Sequence, residues 1–410
     1  IFLNWYHKKQ RNMSIYSPFS KSQLLPQEEK LEVARHKSEL FIGIPKETSY
    51  QERRICLTPD AVSSLVSHGH RVMLEAGAGE CSSYSDKEYS DAGAEITQDT
   101  KKVLGCPMIL KVEPPTLAEL EMMNPQTIVI SAIQLKTQKK EYFEALATKR
   151  ITALAFEFIK DEDGSYPAVK SLSEIAGTAS VLIASELMIG ENIGKGLLFG
   201  NITGVPPTKV VIIGAGTVAE YAARTALGLG ATVKVFDNSI TKLRRLQNTL
   251  NQRIFTSTIQ EKSLLKALRR CDVAIGAMKG KNRAPIVVTE TMVEHMKKGA
   301  VIVDVSIDTG GCFETSEVTT HEKPTFIKNG VIHYCVPNIP SRYSKTASMS
   351  ISNIISPFLL HIADDGGIET AIRCNRGLKH GIYSYHGVLT NKAIADWFNL
   401  EYRDINLIVF

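Results

Sequence analysis

Lys209-Val-Val-Ile-Ile213-Gly214-Ala215-Gly216-Thr217-Val218-Ala219 is the stretch from which the fold can be read. Four consecutive β-branched apolar residues make a buried strand. They run straight into Gly-x-Gly-x-x-Ala, and Glu-Tyr-Ala-Ala continues as the start of a helix. Asp237 closes the next apolar run, Ala231-Thr-Val-Lys-Val-Phe236, 18 residues beyond Ala219. Strand, glycine turn, helix, strand and terminal acid are the context in which this pattern binds a dinucleotide. Gly214 permits the tight turn, and Gly216 lets the backbone approach a pyrophosphate seated on the helix N-terminus. Ala219 takes the third position, where helix packs closely on strand. The Asp237 carboxylate accepts from a ribose 2′-hydroxyl and repels a 2′-phosphate, so the reading favours NAD over NADP.

Outward from this stretch, Asp272-Val-Ala-Ile275, Ala300-Val-Ile-Val-Asp304 and Val331-Ile-His-Tyr-Cys335 read as further buried strands. Upstream, residues 41–45, 71–75, 108–112, 127–131 and 152–156 form a separate series of short apolar runs. Thr58-Pro-Asp60 opens a helix with a cap and a first-turn proline. A long helix runs from about residue 173 into a glycine-rich loop, Gly190 to Gly204. The tail is helical from Ser348 through Ile362 and ends in an apolar, strand-like stretch. The expected fold is α/β, with two Rossmann-like domains and a cleft between them, the second a doubly wound parallel sheet binding NAD. The expected boundaries are a leader over 1–39, a substrate domain over 40–167 completed by 345–410, and the dinucleotide domain over 168–344. Because Ile1 opens the sequence and a polar stretch follows Met13, residues 1–12 are expected to be upstream translated sequence.

A chain of 410 residues allows two or three domains at roughly 100–200 residues each. With 43% hydrophobic and 22% charged residues, it is an ordinary globular composition rather than a disordered or fibrous one. A net charge of +5 without clustered Lys and Arg gives no footprint for nucleic acid. No uninterrupted apolar run reaches the ~18 residues of a membrane span. The seven cysteines are scattered with no C-x-x-C pair, which suggests reduced thiols in a cytoplasmic protein rather than a disulfide frame or zinc module. His68, His70, His321 and His333 lack ligand spacing, so no metal is assigned. Gly190-x-x-x-Gly194-Lys195-Gly196 is one residue short of a P-loop and has glycine where a magnesium-holding Ser or Thr belongs. Gly77-Ala-Gly79 reads as a plain turn.

Among isolated polar residues, Lys111 and Asp308 carry two readings each and Arg54 carries one. Lys111, inside Ile-Leu-Lys-Val, is either a snorkelling lysine or one that meets an anionic partner or substrate. Arg54 alone reads as a solvated arginine. Asp308 is either a turn former or a ligand contact at the C-terminal end of a strand.

Several motifs resemble those of the alanine dehydrogenases. They include Gly43-Ile-Pro-Lys-Glu-Thr48, Glu52-Arg-Arg54, Glu75-Ala-Gly-Ala-Gly79, Leu110-Lys-Val-Glu-Pro114 and Ser173-Glu-Ile-Ala-Gly177. The 209–237 stretch, Val303-Asp-Val-Ser-Ile-Asp308-x-Gly-Gly-Cys-Phe-Glu314 and Tyr334-Cys-Val-Pro-Asn338 extend the likeness across most of the chain in the same order. That family shares its fold with the N-terminal nucleotide-binding part of the transhydrogenase α chain. The resemblance implies NAD-dependent oxidative deamination of L-alanine to pyruvate and ammonium. It implies that Arg54 grips the substrate carboxylate, that Lys111 contacts carboxylate and carbonyl or amino group, and that Asp308 orients or exchanges protons with amine or water. It adds Lys242 to Gly214, Gly216, Ala219 and Asp237 on the adenosine and pyrophosphate half, and sets Ser173 and Asn338 near the other end. It also implies a homo-oligomer, often a hexamer.

One departure bears on catalysis. Where the family places a catalytic histidine, this chain has Gln134, which can position a carbonyl but cannot titrate. Thr309 likewise replaces a glutamine. Either Asp308 with a water, or Lys111, carries the proton transfers, or the substrate differs. Two alternatives therefore stand beside alanine oxidation: a dehydrogenase of the same fold for another amino or keto acid, and a non-catalytic NAD(H)-binding subunit resembling the transhydrogenase.

Overall fold

In a computed structural model, residues 37–409 are described, except residue 50, residue 136, residues 191–193 and residues 281–282. The expectations for residues 1–12 and for nearly all of the 1–39 leader lie outside the described residues. Two sheets organise the rest. The first contains β1 (Phe41–Ile44), β2 (Arg71–Glu75), β3 (Glu95–Thr97), β4 (Met108–Leu110), β5 (Ile128–Ser131) and β6 (Thr152–Ala155). The second contains β7 (Lys209–Ile213), β8 (Thr232–Phe236), β9 (Phe255–Ser257), β10 (Val273–Gly276), β11 (Val301–Asp304), β12 (Thr325–Lys328) and β13 (Val331–Tyr334). β14 (Ile382–Tyr385) and β15 (Val388–Leu389), a hairpin from the tail, complete the first.

The strand orders are β15-β14-β6-β5-β4-β1-β2-β3 and β12-β13-β11-β10-β7-β8-β9. Within each, the six parallel strands follow the 3-2-1-4-5-6 order of a doubly wound sheet. β14 joins β6 antiparallel, and β12 joins β13 antiparallel. Each sheet therefore has one switch point, between β1 and β4 in the first and between β7 and β10 in the second. A ligand binds in the crevice that such a point opens at the C-terminal strand ends. The central strands β4, β6, β10, β11 and β13 are buried along their whole length. This is the reason their sequences are continuous apolar runs rather than alternating ones.

Two long helices link the lobes. Pro167–Leu187 begins six residues earlier than its sequence suggests, with the proline in the first turn. Its small residues Ala176, Gly177, Ala179 and Ala184 meet Ala219, Ala222, Ala223 and Ala226 of the helix Thr217–Gly228. A Cβ on Gly177 would sit 2.4 Å from the Val218 carbonyl oxygen, so this approach requires glycine. Ser344–Asp364 is the helix among the described residues that is long and apolar enough to cross a membrane. Ile351, Ile355, Leu359 and Ile362 instead pack it into the first core. The apolar stretch at 405–407 forms a 3-10 turn, Ile405–Leu407, not a strand. The tail's strands are β14 and β15, where Tyr383 is fully buried.

Candidate active site

Each sheet delivers charged or phosphate-compatible groups at the C-terminal ends of its strands. In the first, Glu47 follows β1, Lys111 and Glu113 follow β4, Gln134 follows β5 and Glu157 follows β6. Lys111 is 2% exposed, and its Nζ is 2.6 Å from Glu119 Oε1 and 3.6 Å from Glu47 Oε2. Burial works against its charge, but Glu47 and Glu119 outweigh burial and raise its pKa. The anionic partner that the sequence left open is the Glu119 carboxylate, with the Glu47 carboxyl 3.6 Å away. Glu47 Oε1 accepts from Val112 N at 2.5 Å, whereas its sealed Oε2 has no hydrogen-bond partner. Burial pushes Glu47 up to about 8, against the pull of Lys111.

Arg54 lies in an extended segment whose backbone is bonded by side-chain hydroxyls rather than by a sheet. Arg53 N donates to Ser341 Oγ at 3.0 Å, Ile55 N to Ser348 Oγ at 2.9 Å and Thr58 N to Ser352 Oγ at 3.0 Å. The guanidinium grips Glu52 with both arms, Nε to Oε1 at 2.7 Å and NH2 to Oε2 at 2.6 Å. Burial tends to raise the Glu52 pKa, but the Arg54 charge prevails and holds it below the usual carboxylate value. The fork geometry of Arg54 is the one that matches a carboxylate.

The second lobe reaches this corner directly. Asn338 Nδ2 donates to Glu52 Oε2 at 3.0 Å, and Asn338 N donates to Asp308 Oδ1 at 2.9 Å. Asn338 holds φ 54°, ψ 46°, a left-handed conformation that asparagine tolerates, and opens the short helix Ile339–Arg342. Asp308 is exposed on the turn Val305–Thr309, which ends at Gly310 with φ 97°. Beneath that turn, fully buried Asp304 accepts from Ser306 N, Cys312 N and Ser316 Oγ and fixes the loop. Arg54, Asn338 and Asp308 thus form one connected chain through Glu52, with Lys111 beside Glu47 in the same lobe as Arg54.

Gln134 is half-buried with φ 45°, and its Nε2 makes a long 3.4 Å bond to Glu113 Oε1. Glu157 Oε1 accepts from Ile133 N at 3.1 Å and from Gln134 N at 3.4 Å. Burial pushes Glu157 up to about 7, above the opposing pull of these backbone donors and of Arg54. Burial, then proximity to Glu52, also raises Glu113. Sequence reasoning assigned no role to Glu47, Glu52, Glu113 or Glu157. Their sequence signal was position: acids just past apolar strands, at the end where open parallel sheets bind ligands.

At the second switch point, Gly214 has φ 115°, and a Cβ there would lie 2.3 Å from the Ala277 carbonyl oxygen at the end of β10. Gly216 caps the helix Thr217–Gly228, and a Cβ on it would meet nothing within 4 Å, leaving open space for a phosphate. Ala219 is fully buried in the first turn. Asp237 at the end of β8 accepts from Ala215 N at 2.8 Å and Ser239 N at 2.7 Å, which ties the acid to the glycine turn. This cradle fits a dinucleotide. Lys242 sits in the first turn of the exposed helix face after Ser239, and its backbone N–H donates to Ser239 Oγ. The Ser173 hydroxyl donates to Val169 O within its own helix at 2.6 Å, so it points along the helix rather than to any other site residue.

Comparisons with known proteins agree with this architecture. Residues 43–176 match the family model described as alanine dehydrogenase/PNT, N-terminal domain, and residues 180–392 match its C-terminal domain. "Alanine dehydrogenase 2" of Staphylococcus aureus (strain USA300) is 36% identical over 89% of this chain and 98% of its own length. An "Alanine dehydrogenase" of Staphylococcus epidermidis is 37% identical over the same shares. Among solved structures, an L-alanine dehydrogenase superposes with a TM-score of 0.83 at 34% identity, over 88% of this chain and 99% of that one. A transhydrogenase from Sinorhizobium meliloti, 24% identical, shares the fold with a TM-score of 0.73 over 86% and 99%.

Proposed function

The chain belongs to the alanine dehydrogenase/PNT family, and on that premise we propose that it catalyses the reversible NAD-dependent oxidative deamination of L-alanine to pyruvate and ammonium. The observation that carries this reading is the Arg54–Glu52–Asn338–Asp308 chain, which connects a carboxylate-binding guanidinium to the C-terminal edge of the dinucleotide sheet. A small amino acid held by Arg54 is thereby placed against the lobe that carries the cofactor cradle.

In this reading Gly214 and Gly216 approach the pyrophosphate, Ala219 packs the helix beneath it, and Asp237 takes the adenosine ribose. Lys242 borders the same half, and Ser173 and Asn338 flank the nicotinamide half. When bound, NAD supplies the acceptor for the hydride that leaves Cα. The protein's own groups do the rest. Arg54, held by Glu52 through Nε and NH2, fixes the substrate carboxylate with the N–H donors of the guanidinium that Glu52 leaves over. Lys111 keeps a positive charge beside the developing carbonyl oxygen. Gln134 orients that oxygen by hydrogen bonding. Asp308, exposed at the end of β11, positions the water that hydrolyses the imine.

The proposal extends to assembly and location. Leu182, Ile189, Leu198, Ile202 and Val205 are exposed apolar side chains on and just beyond the Pro167–Leu187 helix, and a second copy is the occupant proposed to cover them. All seven cysteines are free thiols, as suits a cytoplasmic protein. Following absorbance at 340 nm with NADH, pyruvate and ammonium, then with NAD and L-alanine, tests the activity. Turnover in both directions is the expected result. NADH binding without turnover of alanine would replace this reading with another amino-acid substrate or with a binding subunit.

A further inference from the structure

Oxidising an amino acid requires a base before it requires an oxidant. The substrate amine enters as an ammonium, whose nitrogen has no lone pair. Until one proton leaves, no carbon–nitrogen double bond can form as Cα loses its hydrogen. Each polar group at the first sheet's C-terminal edge can be weighed for that task. Arg54 and Lys111 are cations. Glu52 is locked to Arg54 by two bonds of 2.6 and 2.7 Å. Glu119 is bonded to Lys111 at 2.6 Å and caps its own helix through Thr116 N. The Glu47 oxygen that lacks a partner is sealed from solvent behind Lys111. Gln134 does not titrate. Glu113 and Glu157 remain, both half-buried and therefore reachable.

Of these two, Glu113 accepts the Gln134 amide and is pressed by the Glu52 charge. Glu157 is differently built. Its Oε1 is anchored on two backbone N–H groups, those of Ile133 and Gln134, in the turn that leaves β5 with Gln134 at φ 45°. Anchoring one oxygen this way fixes the carboxyl plane, and Oε2 takes neither of these two bonds. Resting on the proposed function, we propose that Glu157 is the catalytic base of this site, taking a proton from the substrate ammonium through Oε2.

The step balances. An N–H bond breaks, its electron pair stays on nitrogen as the lone pair that becomes the carbon–nitrogen double bond, and an O–H bond forms on Glu157. After turnover the carboxyl releases that proton to solvent, which accounts for the one proton liberated when an alanine zwitterion becomes pyruvate and ammonium. The surroundings suit a group that must both take and lose a proton near neutrality. Burial lifts Glu157 to about 7, while the backbone donors, and more weakly Arg54, oppose the rise. The other groups facing it are phenols, Tyr142 from the helix Lys140–Thr148 and Tyr383 from β14, bonded to each other at 2.9 Å. Both phenols are pushed above their usual range, so they stay neutral while Glu157 titrates.

The test compares the wild-type protein with Glu157→Gln, Glu113→Gln and Glu157→Gln/Gln134→His. Alanine-dependent kcat/KM is followed from pH 5.5 to 9, and NADH binding is followed by fluorescence as a check of folding. Wild type should gain activity as pH rises through about 7. Glu157→Gln should lose about 100-fold or more and the acid limb with it, while binding NADH as wild type does. The double variant should recover activity with a limb at the histidine's own value. The carboxyl resonances of ¹³C-glutamate-labelled protein should include one titrating near 7 that disappears in Glu157→Gln. The proposal is overturned by Glu157→Gln retaining the limb, by the limb vanishing only in Glu113→Gln, or by the near-neutral resonance surviving the substitution. A Glu157→Gln protein that cannot bind NADH would shift judgement to Glu157→Asp carrying a ¹³C-aspartate label, in which the added carboxyl resonance must titrate above the usual carboxylate range. A wild type silent with alanine but turning over another amino acid overturns the substrate reading and leaves the Glu157 comparison to be made on that substrate.

Discussion

Asn338 Nδ2 and Glu52 Oε2, from different lobes, are 3.0 Å apart. Through this bond the end of β13 touches the carboxylate that holds Arg54, so the two halves of the site share one polar network. Glu52→Gln would place an amide that can donate against two donors, the Arg54 guanidinium and the Asn338 amide. Removing one member of a buried ion pair costs about 3–5 kcal/mol. The expected outcome is a denaturation midpoint lowered accordingly, with KM for alanine raised because Arg54 loses its fixed pose. An unchanged midpoint in a urea titration would show that the pair is not formed in solution.

Ser348 bridges two segments that no sheet joins. Its Oγ accepts from Ile55 N at 2.9 Å and lies 2.9 Å from Ser82 Oγ. Ser348→Ala leaves a buried backbone N–H without an acceptor, at a cost of about 1–3 kcal/mol. The loss should appear both as a lower Tm and as a higher KM for alanine, because Ile55 adjoins Arg54. A Tm shift with KM untouched would mean the Arg54 segment is positioned by other contacts.

Glu47 makes the protein's stability depend on pH in the direction opposite to a paired surface acid. Burial raises its pKa from 4.5 to about 8, so the folded state holds a proton that the unfolded state gives up between those values. Its contribution is complete below about 4.5 and is lost as pH rises through about 8. Glu47→Gln imitates the protonated carboxyl at every pH. Variant and wild type should therefore melt together at pH 5. At pH 9 the variant should be the more stable by an amount on the order of a few kcal/mol. Glu157 acts in the same direction over a window ending near 7, so part of the slope should persist in the variant. Equal Tm values at pH 9 would show Glu47 to be ionised and solvated.

The parts of this molecule that were readable in advance are those in which neighbouring residues do the work. Lys209–Ile213, Thr232–Phe236 and Val301–Asp304 are legible as strands because β-branched apolar residues dominate them, and the turn at Gly214 follows from chemistry inside six residues. β3, β9 and β12 escaped because short edge strands are half exposed and carry no apolar run. β14 and β15 escaped because Ile-Tyr-Ser-Tyr becomes a strand only by joining β6, far away in sequence. The site divides in the same way. Resemblance points at Arg54 and Lys111, but by itself Arg54 reads as solvated and Lys111 as either a snorkelling lysine or one with an unidentified anionic partner. Their burial depends on Glu52, Glu47 and Glu119, and acids next to bases in a sequence look like ordinary surface charge. Asn338 and Asp308 were placed near the site by resemblance, while the bond from Asn338 N to Asp308 exists only because two loops of one sheet converge.

Asp237 offers the sharpest test of the second lobe. Its carboxylate is 6% exposed and is fixed by Ala215 N at 2.8 Å and Ser239 N at 2.7 Å. That makes it a brace for the glycine turn and, in the proposed function, also the acid that faces the adenosine ribose. Asp237→Ala removes both functions, so weaker NADH binding alone would not separate them. Asp237→Asn keeps an oxygen that can accept either backbone bond but discards the negative charge. If the charge selects the cofactor, Asp237→Asn should bind NADH within a few-fold of wild type and gain at least about tenfold in affinity for NADPH. Charge repulsion of a 2′-phosphate at close range is worth more than the 1.4 kcal/mol that a tenfold change represents. Fluorescence titration with each cofactor reads both quantities. Loss of NADH affinity in Asp237→Asn with no gain for NADPH would make Asp237 a brace of the turn and leave cofactor selection to another group.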